Sequence, residues 1–246
     1  MKLHVDLHVH SALSPCAEDE MTPGNIAGMA KLNGLDLIAL TDHQSCANCE
    51  ATIALSRSIN GPQIIPGIEM TSAEEVHLLA LFADLDQARL METQLREQMI
   101  RQPNRPELFG HQWLFDRQDH VIAEYEPLLL MPVRLQAQEL AWQVWELGGV
   151  CIPAHVDRSS ASLLASFGSM PPDFPPCWLE LSNRADPDLF FSQHEDLKKY
   201  PIIRSSDAHR LVDMADPGWI IELSGPIAPS GWPQALISAL RQFSVQ

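Results

Sequence analysis

Histidines and carboxylates recur along this sequence in short clusters: His8 and His10 in DLHVH, Asp42 and His43 in TDH, Glu69 in GIE, His77 in VHLLALF, His155 in PAHVDR, and Asp207 and His209 in SDAH. Imidazole nitrogens and carboxylate oxygens are the donors that divalent cations take up, and scattered surface histidines rarely stand beside Asp or Glu in this way. His8 and His10 are two apart, so on a strand both side chains point to one face, as two ligands of one metal must. Asp207 and His209 combine an oxygen and a nitrogen ligand within one turn, and the small neighbouring residues leave room for a crowded site. His43 is a candidate ligand, and Asp42 a candidate hydrogen-bond partner to a ligand or to metal-bound water, with a helix cap as its other reading. Glu69 could bridge two cations, and a surface or capping role is the alternative. A lone histidine such as His77 in an apolar strand is more often a hydrogen-bonded core residue, but its nearness to Glu69 favours a ligand. Arg158 and Arg210 are candidates for anion binding, with a structural salt bridge as the competing reading for Arg158.

The elements that must carry these residues alternate. Residues 2 to 9 alternate apolar and polar character and predict a strand that delivers His8 and His10 to its C-terminal edge. Thr22, Pro23 and Gly34 bracket a helix, and Leu35 to Leu40 and Gln63 to Ile68 are apolar runs that close on Asp42, His43 and Glu69. Val76 to Phe82 predicts another strand, Leu85 to Ile100 and Arg134 to Leu147 predict helices, and the Trp142 and Trp145 side chains are expected on a core-facing helix face. Val150 to Ala154, Trp178 to Leu181 and Ile202 to Ser205 are further strands, and a tail helix is expected near Pro233 to Phe243. Ligand-type residues that follow strands point to a distorted, TIM-like β/α barrel with its metal site at the C-terminal ends of the strands. An open doubly wound sheet would also put loops there, but no glycine-rich phosphate loop or dinucleotide fingerprint supports it.

A chain of 246 residues, 46% of them hydrophobic, suits one α/β domain over residues 1–246, with a polar, proline-containing insertion around 101–131. Its longest apolar runs fall far short of the roughly 20 residues that cross a bilayer, and the N-terminus does not read as a secretory signal, so a cytoplasmic location away from membranes is expected. Five cysteines, an odd number, argue against a disulfide framework. Cys46 and Cys49 form a lone CxxC that reads as two helix-face cysteines, while His4, His111, His120 and His194 fall in no cluster and are expected on the surface or in local hydrogen bonds. The formal charge of −16 predicts that no duplex nucleic acid is bound along a groove.

Taken together, DLHVH, TDH, GIE, the histidine of PAH, and SDAH resemble the ordered motifs of the PHP family, named for its polymerase-associated and histidinol phosphatase members, across residues 6 to 209. The resemblance implies a distorted (β/α)7 barrel that holds two to three divalent metal ions (Zn, Mn or Fe) and hydrolyses phosphate esters with metal-activated water. It also implies that His8, His10, Glu69 and Asp207 hold one metal, that Glu69 bridges to a second held by His77 and His155, and that His43 and His209 hold the third. Where the family usually has a further histidine this chain has Cys16, which makes Cys16 a candidate thiolate ligand. The substrates in view are a small phosphorylated molecule, a nucleotide or the end of a short single-stranded nucleic acid. A metal-dependent amidohydrolase and a catalytically silent metal-binding regulatory module are the alternatives.

Overall fold

The structure is a computed structural model, and it describes residues 1–216 and 218–242. In chain order the elements are β1 (Lys2–Val9), α1 (Pro23–Leu32), β2 (Leu37–Leu40), α2 (Cys49–Ser58), β3 (Gln63–Thr71), β4 (His77–Leu81), α3 (Leu85–Gln98), α4 (Pro106–Phe109), β5 (Trp113–Phe115), β6 (Val121–Glu124), α5 (Ala137–Glu146), β7 (Val150–Pro153), α6 (Leu163–Phe167), β8 (Leu179–Leu181), α7 (Pro187–Gln193), β9 (Ile202–Arg204), β10 (Trp219–Glu222) and α8 (Trp232–Arg241). Local chemistry sets the expected boundaries of α1: the Thr22 hydroxyl accepts from the Asn25 amide, Pro23 opens the first turn, and Gly34 takes the left-handed φ of +69° just past the end.

A curled six-stranded sheet runs in the order β10-β1-β2-β3-β4-β7. β1, β2 and β3 are parallel because α1 and α2 carry the chain back between them. Residues 72–76 are too few for a crossover, so β4 turns back antiparallel on β3, and β7 pairs antiparallel with β4. At the other edge β10 is antiparallel to β1, and β8 and β9 form a parallel pair of their own. The ladders therefore differ from a uniform ring of seven parallel strands. Two links bring β8 and β9 alongside the main sheet: the Val156 amide donates to the Glu180 carbonyl at 2.9 Å, and the His10 amide to the Ala208 carbonyl at 3.0 Å.

Apart from the edge strand β10, where Ile220 and Glu222 are exposed, both faces of the sheet are buried, as sheets with parallel strands require. On the inner face Leu3, Val5, Leu7, Ala39, Ile65, Leu79 and Ile152 pack with Leu236, Ile237 and Leu240 of α8. On the outer face Val9, Ile38, Leu40, Ile68, Leu78 and Phe82 pack with buried side chains of α1, α3 and α5. Leu7 and Val9 thus lie on opposite faces although they are two residues apart. The cause is a register irregularity between Asp6 and Val9, where one extra residue of β1 faces β2. It shifts the alternation by one and turns His8 and His10 toward the inner face.

The expected placement of the tryptophans is corrected here. The core-facing side of α5 consists of Ala137, Leu140, Ala141 and Val144; Trp142 is exposed and gives its indole N–H to the Asp173 carbonyl, and half-buried Trp145 lies under the Arg241 guanidinium. Residues 101–131 contain α4 and the β5–β6 hairpin, which rests on the loop after β1 through a 2.7 Å bond from the Trp113 amide to the Ala12 carbonyl. The tail helix ends at Arg241, and Phe243 lies outside the described residues. All five cysteines are free thiols. Among the described residues no helix is long and apolar enough to cross a membrane.

Candidate metal centre

Glu69, near the end of β3, is the hub of the site. It is almost wholly buried and five imidazoles face its carboxylate: His77 Nδ1 at 2.9 Å, His43 Nδ1 at 3.0 Å, His10 Nε2 at 3.3 Å, and His8 Nε2 and His155 Nε2 at 3.4 Å. Burial alone would raise the Glu69 carboxyl, but His77, His43 and His8 outweigh it and hold it well below the usual carboxylate range. His8 and His10 come from the shifted end of β1, His43 follows β2, and His155 follows β7. His77 is the exception to the expected placement, because it opens β4. The antiparallel course of β4 brings its first residue to the edge where β3 ends, opposite Thr71.

Asp207 closes the site from the loop after β9. Its Oδ1 lies 3.2 Å from His8 Nε2 and 3.3 Å from His10 Nε2, and its Oδ2 meets the Arg158 guanidinium at 2.7 Å. His209 stacks on His10 with ring centroids 4.2 Å apart. His155 and Asp207 adopt left-handed backbone conformations, with φ of 32° and 52°. Such geometry is uncommon for side chains of this size and here aims two polar groups into the centre.

Three sets of donors each fall within 4.8 Å of one another: His10, His43 and His209; His8, His10 and Asp207; and His43, Glu69 and His77. Two donors about 2.1 Å from one ion at tetrahedral angles lie about 3.4 Å apart, and the His8, His10 and Asp207 atoms at 3.0–3.3 Å come close to that spacing. The Nε2 atoms of His8 and His10 face each other at 3.0 Å, and the buried Nδ1 of His43, which also faces Glu69, lacks a well-formed hydrogen bond. Buried nitrogens of this kind are rarely left without partners, and a cation would take up such converging lone pairs. The structure thus brings together every histidine and carboxylate singled out as a ligand. The grouping differs from that implied by the resemblance: His43 sits with both His209 and the Glu69–His77 pair, whereas His155, beside Glu69, His8 and His77, joins none of the three sets. Cys16 also joins none. Its residue is open to solvent, yet crowding around the thiol and the nearby Glu69 and Asp207 carboxylates push it up to about 12.

A second layer of polar groups orients the ligands. Asp42, wholly buried, accepts from the Ser11 amide at 2.7 Å, the Ser11 hydroxyl at 2.6 Å and the Ser14 hydroxyl at 2.8 Å, and Ser14 Oγ lies 2.9 Å from His10 Nδ1. Asp42 was expected to bond a ligand or metal-bound water itself; here its carboxylate reaches His10 through Ser14. Sequence reasoning missed Glu180, whose buried carboxylate lies 3.0 Å from His8 Nδ1 and accepts the His155 amide at 3.0 Å. Its signal was a lone carboxylate in the apolar strand LEL. Asp6 was missed as well: it anchors the Asp207 loop by accepting from the Ser206 amide at 2.9 Å, the Ser206 hydroxyl at 2.6 Å and the Ala215 amide at 3.1 Å.

Beside Asp207 lies a cleft of about 330 Å³ lined by Arg158, Arg184 and Arg210. Arg210 is held by two bonds to Asp213, of 2.6 and 2.9 Å. Arg184 was not singled out in the sequence, where nothing links it to the metal motifs.

No protein-family model matches the chain, and no curated protein matches it. Solved structures do. The lesion-specific endonuclease PfuEndoQ from Pyrococcus furiosus is similar with a TM-score of 0.73 and 22% identity, over 99% of this chain and 57% of its own. Endonuclease Q in complex with a 27-mer duplex bearing an abasic lesion at the active site gives a TM-score of 0.63 and 24% identity, over 86% of this chain and 50% of that one. An amidohydrolase from Chromobacterium violaceum gives 0.56 and 18% over 95% and 96%, and a protein named as a metal-dependent phosphoesterase from Bifidobacterium adolescentis gives 0.54 and 20% over 83% and 87%. The fold is one shared with hydrolases. The chain spans only about half the length of the Endonuclease Q structures. These likenesses correct the expectation drawn from net charge that duplex nucleic acid is excluded, because Endonuclease Q, with a similar fold, holds a duplex at its active site. A net charge is a sum over the whole surface, whereas binding depends on the local field of a cleft.

Proposed function

We propose that this chain is a PHP-type phosphoesterase that uses two to three divalent cations (Zn, Mn or Fe) to hydrolyse a small phosphate ester, a nucleotide or the end of a short single-stranded nucleic acid. The observation that carries this reading is the Glu69 hub of five imidazoles standing beside a cleft with three arginines. Cations held there would polarise phosphoryl oxygens and lower the pKa of an attacking water. Glu180 and the Asp42–Ser14 pair would keep His8 and His10 aimed at the centre. Each guanidinium carries five N–H donors, so Arg158 and Arg210 retain free donors for phosphoryl oxygens beyond those engaged by Asp207 and Asp213. A neutral carbonyl substrate has no comparable need for clustered guanidiniums. In this reading β8 and β9 complete a distorted (β/α)7 barrel through their links at Val156 and Ala208, and five free thiols accord with work in a reducing cytoplasm.

The test is hydrolysis by protein reconstituted with Mn of p-nitrophenyl phosphate, nucleotides, short oligonucleotides, and duplex DNA with and without an abasic site. A phosphate ester should be turned over, and His8→Ala and Asp207→Ala should each abolish the activity. Turnover of amides or lactones without any phosphate ester would replace this reading with an amidohydrolase.

A further inference from the structure

A second pocket, of about 390 Å³, lies between α6 and α7, and Arg158 lines both it and the arginine cleft. The 183–186 loop forms a shared wall, with Asn183 and Arg184 on the cleft and Ala185 and Asp186 on the pocket. That wall is built into the fold. The Ser182 amide donates to Asp157 at 2.7 Å, Arg204 donates to the Ala185 carbonyl at 3.2 Å and to the Asn183 carbonyl, and Asp186 caps α7 through the Asp188 and Leu189 amides.

The two compartments differ in chemistry. Around the cleft stand three guanidiniums and the Asp207 and Asp213 carboxylates, a setting for charged oxygens. The pocket offers Leu164, Leu189 and Phe190 as apolar walls, with Gln193 and His194 as hydrogen-bonding groups. Leu189 is 58% exposed, an apolar side chain on the pocket with much of its surface in water. A volume near the lower end of the roughly 300–1,000 Å³ range of small-molecule sites suits one compact organic group.

From this continuity we infer that the pocket receives the nucleoside of a nucleotide or of a terminal nucleotide unit, with its phosphate across Arg158 toward the metal centre. The assignment rests on the phosphoesterase reading and makes it specific. A planar base has faces that pack against Leu164, Leu189 and Phe190 and edges that meet Gln193 or His194.

The test compares AMP, glycerol phosphate and inorganic phosphate on the Mn-loaded full chain. Titration calorimetry on the wild type should show AMP binding at least tenfold more tightly than inorganic phosphate. In Ala165→Trp, which fills the pocket from an exposed position of α6, and in Leu189→Asp, which makes its wall polar and charged, that preference should shrink to less than threefold. The ratio of kcat/KM for AMP to that for glycerol phosphate should fall at least tenfold in both. Equal binding of AMP and inorganic phosphate by the wild type, or an unchanged ratio in both variants, would overturn the pocket assignment while leaving the phosphoesterase reading standing. Failure of the wild type to cleave any phosphate ester, the p-nitrophenyl phosphate and oligonucleotides above included, would remove both.

Discussion

At the scale of single residues, the orientation of an imidazole matters as much as its presence. Glu180 holds His8 through Nδ1 and thereby leaves Nε2 to face Glu69, Asp207 and His10. Groups that orient a ligand in this way are typically worth about 10–100-fold in metal affinity or activity. Glu180→Gln should therefore lower metal retention on dialysis against a competing chelator by about that factor, with the fold intact by circular dichroism; full retention would show that His8 needs no such partner. Cys16 is a different case. As a proposed thiolate ligand it should bias one position toward Zn or Fe, so Cys16→Ser and Cys16→His should change metal preference in competition experiments. A change in melting temperature alone, with stoichiometry and preference kept, would make Cys16 structural. Its absence from the three donor sets is what gives this test its weight.

At the scale of elements, short segments hold the site loops in place. The loop after β1 carries Ser11, Ser14 and Cys16, and the segment 101–131 presses on it at Gly110, where a Cβ would come 2.0 Å from the Pro15 carbonyl oxygen and φ is +97°. Both the close approach and the positive φ require glycine. Gly110→Ala should destabilise the protein by about 1–3 kcal/mol and loosen the segment's grip on the loop. Thermal melting checks the first effect, and limited proteolysis between residues 101 and 131 checks the second. An unchanged melting temperature would mean that the segment shifts freely away from Pro15. The helices were legible because their signals are local, as with Thr22, Pro23 and Gly34 around α1. The sense of β4 was less so, since it depends on a turn of residues 72–76 and on which neighbour the strand then meets.

At the scale of the whole molecule, the donors tie together distant parts of the chain. Ends of β1, β3 and β4 and the segments after β2, β7 and β9 all converge on Glu69 and Asp207. Any cation bound there is bound by the folded state alone, and it stabilises that state by about 2.7 kcal/mol per site at a hundredfold excess over Kd. For a chain of this size each kcal/mol moves the melting temperature by about 2–4 °C. Each site emptied by EDTA should thus lower the melting temperature by about 5–10 °C, and Mn or Zn should restore it. Protein purified without chelator should contain two to three equivalents of Mn, Fe or Zn by elemental analysis. Less than one equivalent after reconstitution, with no thermal shift, would rule out a multinuclear centre.

By itself the sequence determined the types and order of the candidate donors and, His77 excepted, their places toward the ends of strands, because metal chemistry demands His, Asp and Glu and strand patterning is read over a few residues. It also determined the cap that starts α1. Tertiary structure alone decided which donors approach one another, since those separations depend on strand register between residues far apart in the chain. It decided that a one-residue shift in β1 turns His8 and His10 toward the inner face, that Glu180 from β8 reaches His8, and that Arg184 joins Arg158 and Arg210 at one cleft. The acidic total of −16 could not foretell that cleft. Composition is a sum over residues, whereas an electrostatic field depends on where the fold places each charge.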